Sequence, residues 1–507
     1  MDVTLLLQMA AEGFGGRAAI GPRDGGPAQM LTYEQLHERS RRAGAWLAGR
    51  DARHAVLLGV NSPAVPLLLF GAAFAGIPMA PLNYRLADER LAAVLRRVVP
   101  GVAVTDPAFT GRVRTLQDAL APVDAATFLD ATTTDQGPAP SGADPDGIAV
   151  LLFTSGTTGE PKAAVLRHRH LASYVVSTVE FMGAAEDEAT LVSVPPYHIA
   201  GISAVLTSVY AGRRIVQLPS FDPDAWVRLA ERERVTHAMV VPTMLGRILD
   251  ALPETPRPLP ALRTLSYGGG RMPVPVIERA MRLLPHVEFV NAYGLTETSS
   301  TIAVLGPGDH RAAMGSADPA VRRRLGSVGV PVPSVEVEIR DPSGRPVPAG
   351  AAGEIWVRGE QVAGEYLDRR AVRADGWFPT RDEGRLDDAG YLYVEGRLDD
   401  VIVRGGENIS PGEIEDVLTA HPAVADAAVV GLPDTEWGER VVAAVVLHDG
   451  HKAGRDELQD WVRARLRSSR TPEHVAFRTG LPYTDTGKLL RRDLRAELLG
   501  EQEESMP

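Results

Sequence analysis

The sequence predicts an α/β protein, with a large N-terminal domain of helix-covered sheets and a small α+β domain at the C-terminus. Three observations lead there. The chain has 507 residues, too many for one hydrophobic core. Helix and strand patterns alternate from Tyr33 to Thr105, as in a parallel sheet wrapped by helices. Beyond about residue 400 the pattern changes to short strands with a pair of helices, a module of its own.

Composition narrows the class. Hydrophobic residues make up 44% of the chain and charged residues 23%, as in an ordinary globular protein. The net charge of −12, with a pI of about 5.6, argues against nucleic acid or an anionic membrane surface as a partner. The chain has no cysteine, which excludes disulfides, thiolate nucleophiles and cysteine metal sites. Met1-Asp2-Val3 lacks the basic start of a signal peptide, so a cytoplasmic protein is expected. Ala64 to Leu82 carries no charge. Gly71, Gly76, Pro78 and Pro81 interrupt it, so a buried helix over Val65–Ala75 and a turn into Asn83 are expected instead of a membrane span.

Taken in order, residues 1–30 read as a loose lead-in. Tyr33–Arg50 reads as an amphipathic helix with a Thr32/Gln35 capping box and Leu36, Ala43, Trp46 and Leu47 on one face. Ala55–Val60 is a short buried strand, Asp88–Val98 a helix and Gly101–Thr105 a strand. Residues 132–147 are a linker by composition, leading into an apolar strand at Ile148–Phe153. There is no repeat at a solenoid period. Strand ends are expected at Val194-Pro195-Pro196 and at Val240-Val241-Pro242, the latter followed by a helix. In the C-terminal part, Val401–Arg404, Ala425–Val430 and Val441–Leu447 read as strands. Ser410-Pro411-Gly412-Glu413 opens a helix with an N-cap serine, a proline at N1 and a capping-box glutamate. Glu457–Arg467 is an amphipathic helix, Leu489–Arg492 a basic helix start, and Glu501–Pro507 a disordered tail.

The stretch that carries most chemistry follows the Ile148–Phe153 strand. Thr154, Ser155, Gly156, Thr157, Thr158 and Gly159 put four hydroxyls and two glycines into six residues, and Lys162 closes the stretch. Glycines let backbone N–H groups converge on one guest, hydroxyls add donors without bulk, and lysine adds a point charge. That is a cradle for phosphate oxygens, or a Ser/Thr/Gly surface turn. It is not G-x-x-x-x-G-K-[ST], because Lys162 follows Pro161 and precedes Ala163. Lysine usage favours the cradle. The chain writes nearly every cation as arginine, and its only lysines are Lys162, Lys452 and Lys488. Lys452 reads as an exposed loop residue, whereas Lys488 lies in Tyr483-Thr484-Asp485-Thr486-Gly487-Lys488.

Three later segments have both a bland and a chemical reading. His198, in Val194-Pro195-Pro196-Tyr197-His198-Ile199-Ala200-Gly201, is by itself a structural histidine more often than a catalytic one. Gly268-Gly269-Gly270 after a strand marks a flexible turn or a close approach to something flat. Val290-Asn291-Ala292-Tyr293-Gly294-Leu295-Thr296-Glu297-Thr298 is either a helix start capped by Thr296 or a nucleotide site. In the second case Tyr293 offers a ring to a purine, Thr296 a hydroxyl to a phosphate, and Glu297 a hard oxygen to Mg²⁺.

From about Leu31 to about Arg492 these segments resemble, in order, the signatures of the adenylate-forming superfamily: acyl-CoA synthetases, peptide-synthetase adenylation domains and luciferases. The resemblance implies an ATP site built from Thr154–Gly159, Lys162, Gly269, Gly270, Asn291, Ala292, Tyr293, Gly294, Asp382 and Arg397. Asp382, in Gly376-Trp377-Phe378-Pro379-Thr380-Arg381-Asp382, matches the aspartate that holds ribose, although Arg381 stands where relatives have glycine. Arg397 matches an arginine contacting ribose and phosphate. Thr296 and Glu297 would act on the α-phosphate and Mg²⁺. The acyl pocket would take in His198, Ile199, Val241, Gly268 and Gly294, with His198 gating access to the carboxylate. Adenylation domains for α-amino acids usually carry an aspartate in the His198 motif, and none is present here. A buried ammonium would be left unpaired, so the acid expected lacks an α-amino group.

The same resemblance implies an N-terminal domain at 1–395, a hinge at 396–400 centred on Asp399, and a mobile C-terminal domain at 401–507. Lys488 would bridge the acyl carboxylate and the α-phosphate in the first half-reaction. Rotation about Asp399 would then bring Gly405, Gly406 and Trp437 to the coenzyme A thiol. Ser468-Ser469-Arg470-Thr471-Pro472 departs from the aromatic and lysine usual before this proline, which leaves coenzyme A and a carrier-protein phosphopantetheine both open as acceptor. A nucleotide sensor on the same fold is the non-enzymatic alternative, and Lys488 argues against it. The expected partners are a small carboxylic acid, ATP, Mg²⁺ and coenzyme A. Family members are often dimers, so a homodimer is the assembly to look for.

Overall fold

The computed structural model describes residues 1–24, 30–137, 143–154, 162–484 and 489–505. Two mainly parallel sheets form the bulk of the N-terminal part. A six-stranded sheet runs in the order Leu120–Asp124, Gly101–Thr105, Ala55–Leu58, Met79–Pro81, Ile148–Thr154, Lys162–Arg167. Its last pair is antiparallel, with Thr154 opposite Lys162. A nine-stranded sheet centres on parallel strands Arg214–Gln217, Ala189–Val192, His237–Val240, Thr264–Gly268 and Glu288–Leu295. A four-stranded antiparallel sheet follows, over Val335–Arg340, Gly353–Gly359, Phe378–Leu386 and Leu392–Arg397. The smaller C-terminal sheet pairs Ile402–Arg404, Glu407–Ile409, Val424–Asp434, Gly438–Leu447 and His474–Arg478.

One apolar cluster joins the two large sheets. It takes in Leu6, Leu36, Phe70, Leu171 and Leu206, each from a different helix. The apolar run read as a buried helix is the helix Ala64–Ala75, buried almost throughout. Its glycine has a packing reason. A Cβ on Gly71 would lie 2.6 Å from the Ala43 Cβ, and one on Gly44 2.6 Å from the Phe74 Cβ, so two helices cross at backbone contact. Among the described residues, no helix is long and apolar enough to cross a membrane.

Three local expectations need correction. Residues 1–30 are not a loose lead-in. Val3–Phe14 is a helix capped by Asp2, and Ala18–Ile20 is a strand. Val3, Leu6, Leu7 and Ala10 are fully buried, a helical spacing obscured by the glycines beyond it. The capping box at Ser410 does not form. Its hydroxyl donates to the Glu395 carbonyl (2.8 Å) and Glu413 pairs with Arg470 (2.5 Å). The tail is helical to Ser505, with Glu501 paired to Arg478.

Candidate active site

Parallel strands of the nine-stranded sheet end on one side, and four of the five central ones deliver a segment singled out above. Ala189–Val192 leads to His198, His237–Val240 to Val241, Thr264–Gly268 to Gly269 and Gly270, and Glu288–Leu295 to Thr296 and Glu297. Open α/β sheets bind ligands outside these carboxyl ends. Register sets Tyr267 beside Asn291 and Gly268 beside Ala292. A Cβ on Gly268 would lie 2.2 Å from the Ala292 carbonyl oxygen, and one on Gly294 1.8 Å from that of Ser300. Backbone, not an acyl chain, fills the space saved at these two glycines. Gly269, at φ +77°, and Gly270 remain exposed. Asn291 is buried, and its amide donates to the Ser327 carbonyl at 3.1 Å. Val241 is buried, while His198 and Ile199 are half-buried at the start of the helix Ile199–Ala211. The His198 ring packs 4.9 Å from that of Tyr197.

Thr296–Thr298 forms a single 3₁₀ turn. The backbone then passes through positive φ at Ser299 (57°) and Ser300 (112°), conformations that cost energy for residues with a side chain. Gln361, fully buried, holds the segment by donating to the Thr298 and Thr301 carbonyls at 3.1 and 2.8 Å. The Glu297 carbonyl accepts the Ala363 and Gly364 amides, both at 2.9 Å. Its carboxylate accepts the Tyr366 hydroxyl at 2.6 Å. Burial and the Glu297 charge push the Tyr366 phenol up, so it stays a donor. Sequence reasoning missed Tyr366, and nothing in the spacing links it to a residue 69 positions away.

A second polar knot lies on the four-stranded sheet. Asp382 and Arg397 face each other across adjacent strands. Asp382 is 6% exposed. Its carboxylate meets Arg397 Nε at 3.0 Å and the Tyr293 hydroxyl at 2.6 Å, and Arg397 Nη1 donates to the Thr380 carbonyl at 3.0 Å. Burial and then the Asp382 charge drive the Tyr293 phenol well above its usual range. Burial alone would lower Arg397, but Asp382, Tyr293 and Glu297 outweigh it and leave it raised. Arg381 occupies the left-handed region at φ +64°, where glycine fits without strain. Its guanidinium reaches Asp399 at 2.6 Å.

Lys162 begins the strand Lys162–Arg167, and the Thr154 hydroxyl faces its carbonyl at 3.5 Å. Ser155, Gly156, Thr157, Thr158 and Gly159 lie outside the described residues, as does Lys488. In the C-terminal part, Gly405 and Gly406 turn at φ 58° and 82°. The Gly405 amide donates to the Trp437 carbonyl at 2.7 Å, and the Arg404 guanidinium sits 5.5 Å from the Trp437 ring. The Ser468–Arg470 turn has a structural use: Arg404 donates to the Ser469 carbonyl (2.9 Å), and Arg470 pairs with both Glu407 (2.9 Å) and Glu413 (2.5 Å).

The model of the AMP-binding enzyme family matches residues 7–367, and that of the AMP-binding enzyme C-terminal domain matches residues 413–488. The chain belongs to the AMP-binding enzyme family. A feruloyl-CoA synthase from a species of Amycolatopsis is 36% identical over 485 residues, 94% of this chain and 95% of that protein. A fatty acid–[acyl-carrier-protein] ligase from Streptomyces coeruleorubidus is 33% identical, over 93% of this chain and 92% of that protein. The o-succinylbenzoate CoA synthetase of Bacillus subtilis, solved with its acyl-adenylate intermediate, superposes with a TM-score of 0.84 at 30% identity and 97% coverage of both chains. The same synthetase has also been solved with ATP and a magnesium ion. This AMP-binding enzyme is an acid–thiol ligase of the AMP-forming kind.

Its residues fit Mg²⁺. Among the described residues no group of three acidic or histidine ligands could cage a metal. Glu297 offers one carboxylate near Arg397, one of the residues expected to hold the nucleotide, and Mg²⁺ characteristically takes one or two carboxylates and completes its shell with phosphates and water.

Proposed function

We propose that this AMP-binding enzyme activates a carboxylic acid lacking an α-amino group as its acyl-adenylate, releases pyrophosphate, and passes the acyl group to coenzyme A. The observation that carries the reading is the convergence of Glu297, Tyr293, Asp382 and Arg397 beside the strand ends that present His198 and Gly269–Gly270.

Each residue then has a task. The Asp382 carboxylate, already oriented by Tyr293 and Arg397, accepts the ribose hydroxyls. Lys162 and the Thr154–Gly159 stretch hold the phosphates. Glu297, with the phosphates and water, holds Mg²⁺, which when bound offsets charge on the phosphate oxygens. An oxygen of the acid attacks the α-phosphorus, and the bond to pyrophosphate breaks. Two anions meet in that step, and Lys488 neutralises the charge between them. In the second step the thiol sulfur attacks the acyl carbon and AMP leaves. The C-terminal domain turns about Asp399 between the steps, bringing Gly405, Gly406 and Trp437 to the thiol. Two of the relatives carry aryl acids in their names, which supports an aryl acid here. The domain limits 1–395, 396–400 and 401–507, a cytoplasmic location and a homodimer belong to the same reading.

A carrier-protein phosphopantetheine is the second reading for the acceptor, favoured by the carrier-protein ligase relative. The test is pyrophosphate release and thioester mass spectrometry with ATP, Mg²⁺ and a panel of aryl, fatty and polycyclic acids. Acyl-CoA from one class supports the first reading. Acyl-adenylate with no acyl-CoA, and thioester on an added carrier protein, supports the second.

A further inference from the structure

Residues 363–367 touch both halves of the nucleotide site. On one side they hold Glu297 at its carbonyl, through the Ala363 and Gly364 amides, and at its carboxylate, through the Tyr366 hydroxyl. On the other side they pair with the strand that begins at Lys162. The Val165 amide donates to the Glu365 carbonyl at 2.9 Å and the Leu367 amide to the Ala163 carbonyl at 3.0 Å. Arg167 grips the Glu365 carboxylate with two bonds, at 2.6 and 2.9 Å. A short segment thus spans the strand leaving the phosphate stretch and the carboxylate assigned to the metal.

We infer that Tyr366 is a positioning residue for nucleotide binding: its hydroxyl fixes the Glu297 carboxylate in register with the Lys162 strand, so that metal and phosphates are met by one rigid unit. The inference rests on the reading of Glu297 as the Mg²⁺ carboxylate. A glutamate has three side-chain torsions, and a carboxylate must be held to within a fraction of an ångström to act in a site. The Tyr366 hydroxyl engages Oε1, and Oε2 is the oxygen left for the cation. The backbone bonds to Glu297 would survive loss of the hydroxyl, so a phenylalanine at 366 keeps the segment and its ring packing and removes only the bond that orients the carboxylate.

The test measures ATP binding by calorimetry, in Mg²⁺ and in EDTA, on the full chain and on Tyr366→Phe, Glu297→Gln and the double variant. Tyr366→Phe is expected to weaken ATP binding in Mg²⁺ by about 10-fold, the scale of one hydrogen bond to a charged group, and to leave binding in EDTA within about twofold on the same argument. The Mg²⁺ concentration for half-maximal pyrophosphate release should rise in step. The double variant should bind no more weakly than Glu297→Gln alone, because the two residues act as one unit. Equal weakening in Mg²⁺ and EDTA would mark Tyr366 as structural only and overturn the inference. So would a metal-dependent increment left intact by Tyr366→Phe but removed by Glu297→Gln. An increment left intact by Glu297→Gln would instead remove the reading of Glu297, and the inference with it.

Discussion

The residues assigned to ATP and those assigned to the acceptor thiol are built in opposite ways. Asp382 is 6% exposed and cross-linked to Tyr293 and Arg397. Glu297 is held at its carbonyl and its carboxylate by residues 363–366. Trp437 is 46% exposed and the neighbouring Val403 48%; Trp437 is held by the Gly405 amide on its carbonyl and by the Arg404 guanidinium 5.5 Å from its ring, and Val403 by its amide on the Glu439 carboxylate. The first group is preorganised before ligand arrives, so its reorganisation cost in the reaction is small. The second leaves apolar surface open on the smaller domain, as expected of a face that is covered only in one step of the cycle.

The largest expected effects break the contrast from the ATP side. Lys488→Ala should lower acyl-adenylate formation by about 10²–10³-fold, the scale of one lost transition-state contact, and leave ATP binding intact by calorimetry. Loss of ATP binding in a folded variant would refute that role. Asp382→Ala should lower pyrophosphate release by roughly 10²-fold and also reduce the melting temperature, because Arg397 loses the partner of a partly buried ion pair. A loss of activity without a change in melting would mean that the knot has no structural part.

Changes on the acceptor side should be smaller and confined to the second step. Trp437→Ala should raise the KM for coenzyme A by about 5–10-fold, as removal of a large exposed contact residue does, with pyrophosphate release measured in its absence unchanged. If both steps fell together, the division of labour would be wrong. The smallest effect is expected at Arg381, beside the proposed hinge. Arg381→Gly relieves a left-handed side-chain residue, worth about 1 kcal/mol, and removes a solvent-exposed pair to Asp399, worth about 0–1 kcal/mol. Stability should stay nearly constant in urea unfolding, while the ratio of the two half-reaction rates shifts by less than about fivefold, since the pair holds hinge to domain with no more than that energy. A shift well beyond that would make Arg381 a stronger latch than its exposure allows.

The Thr32/Gln35 capping box and the buried Ala64–Ala75 helix were legible because they depend on neighbours three or four positions away, and the strands entering each glycine-rich segment because they are short apolar runs. The helix at Val3–Phe14 is hard to read locally because Gly13, Gly15 and Gly16 follow its apolar residues closely, and its buried face becomes evident only in the cluster it shares with the other helices. The Ser410 capping box failed for the converse reason: Glu395 and Arg470, distant in the chain, offered its two side chains better partners.

What the sequence by itself determined is the order of the chemistry: hydroxyls, glycines, acids and lysines at fixed places after predicted strands, an order that resembles the adenylate-forming superfamily and implies adenylate formation through that resemblance. Only the tertiary structure decided which of those side chains hold one another. Tyr366 reaches Glu297 across 69 residues and Tyr293 reaches Asp382 across 89. Those pairings are set by strand register and by which sheet packs on which, and a local pattern of polarity carries no information about either.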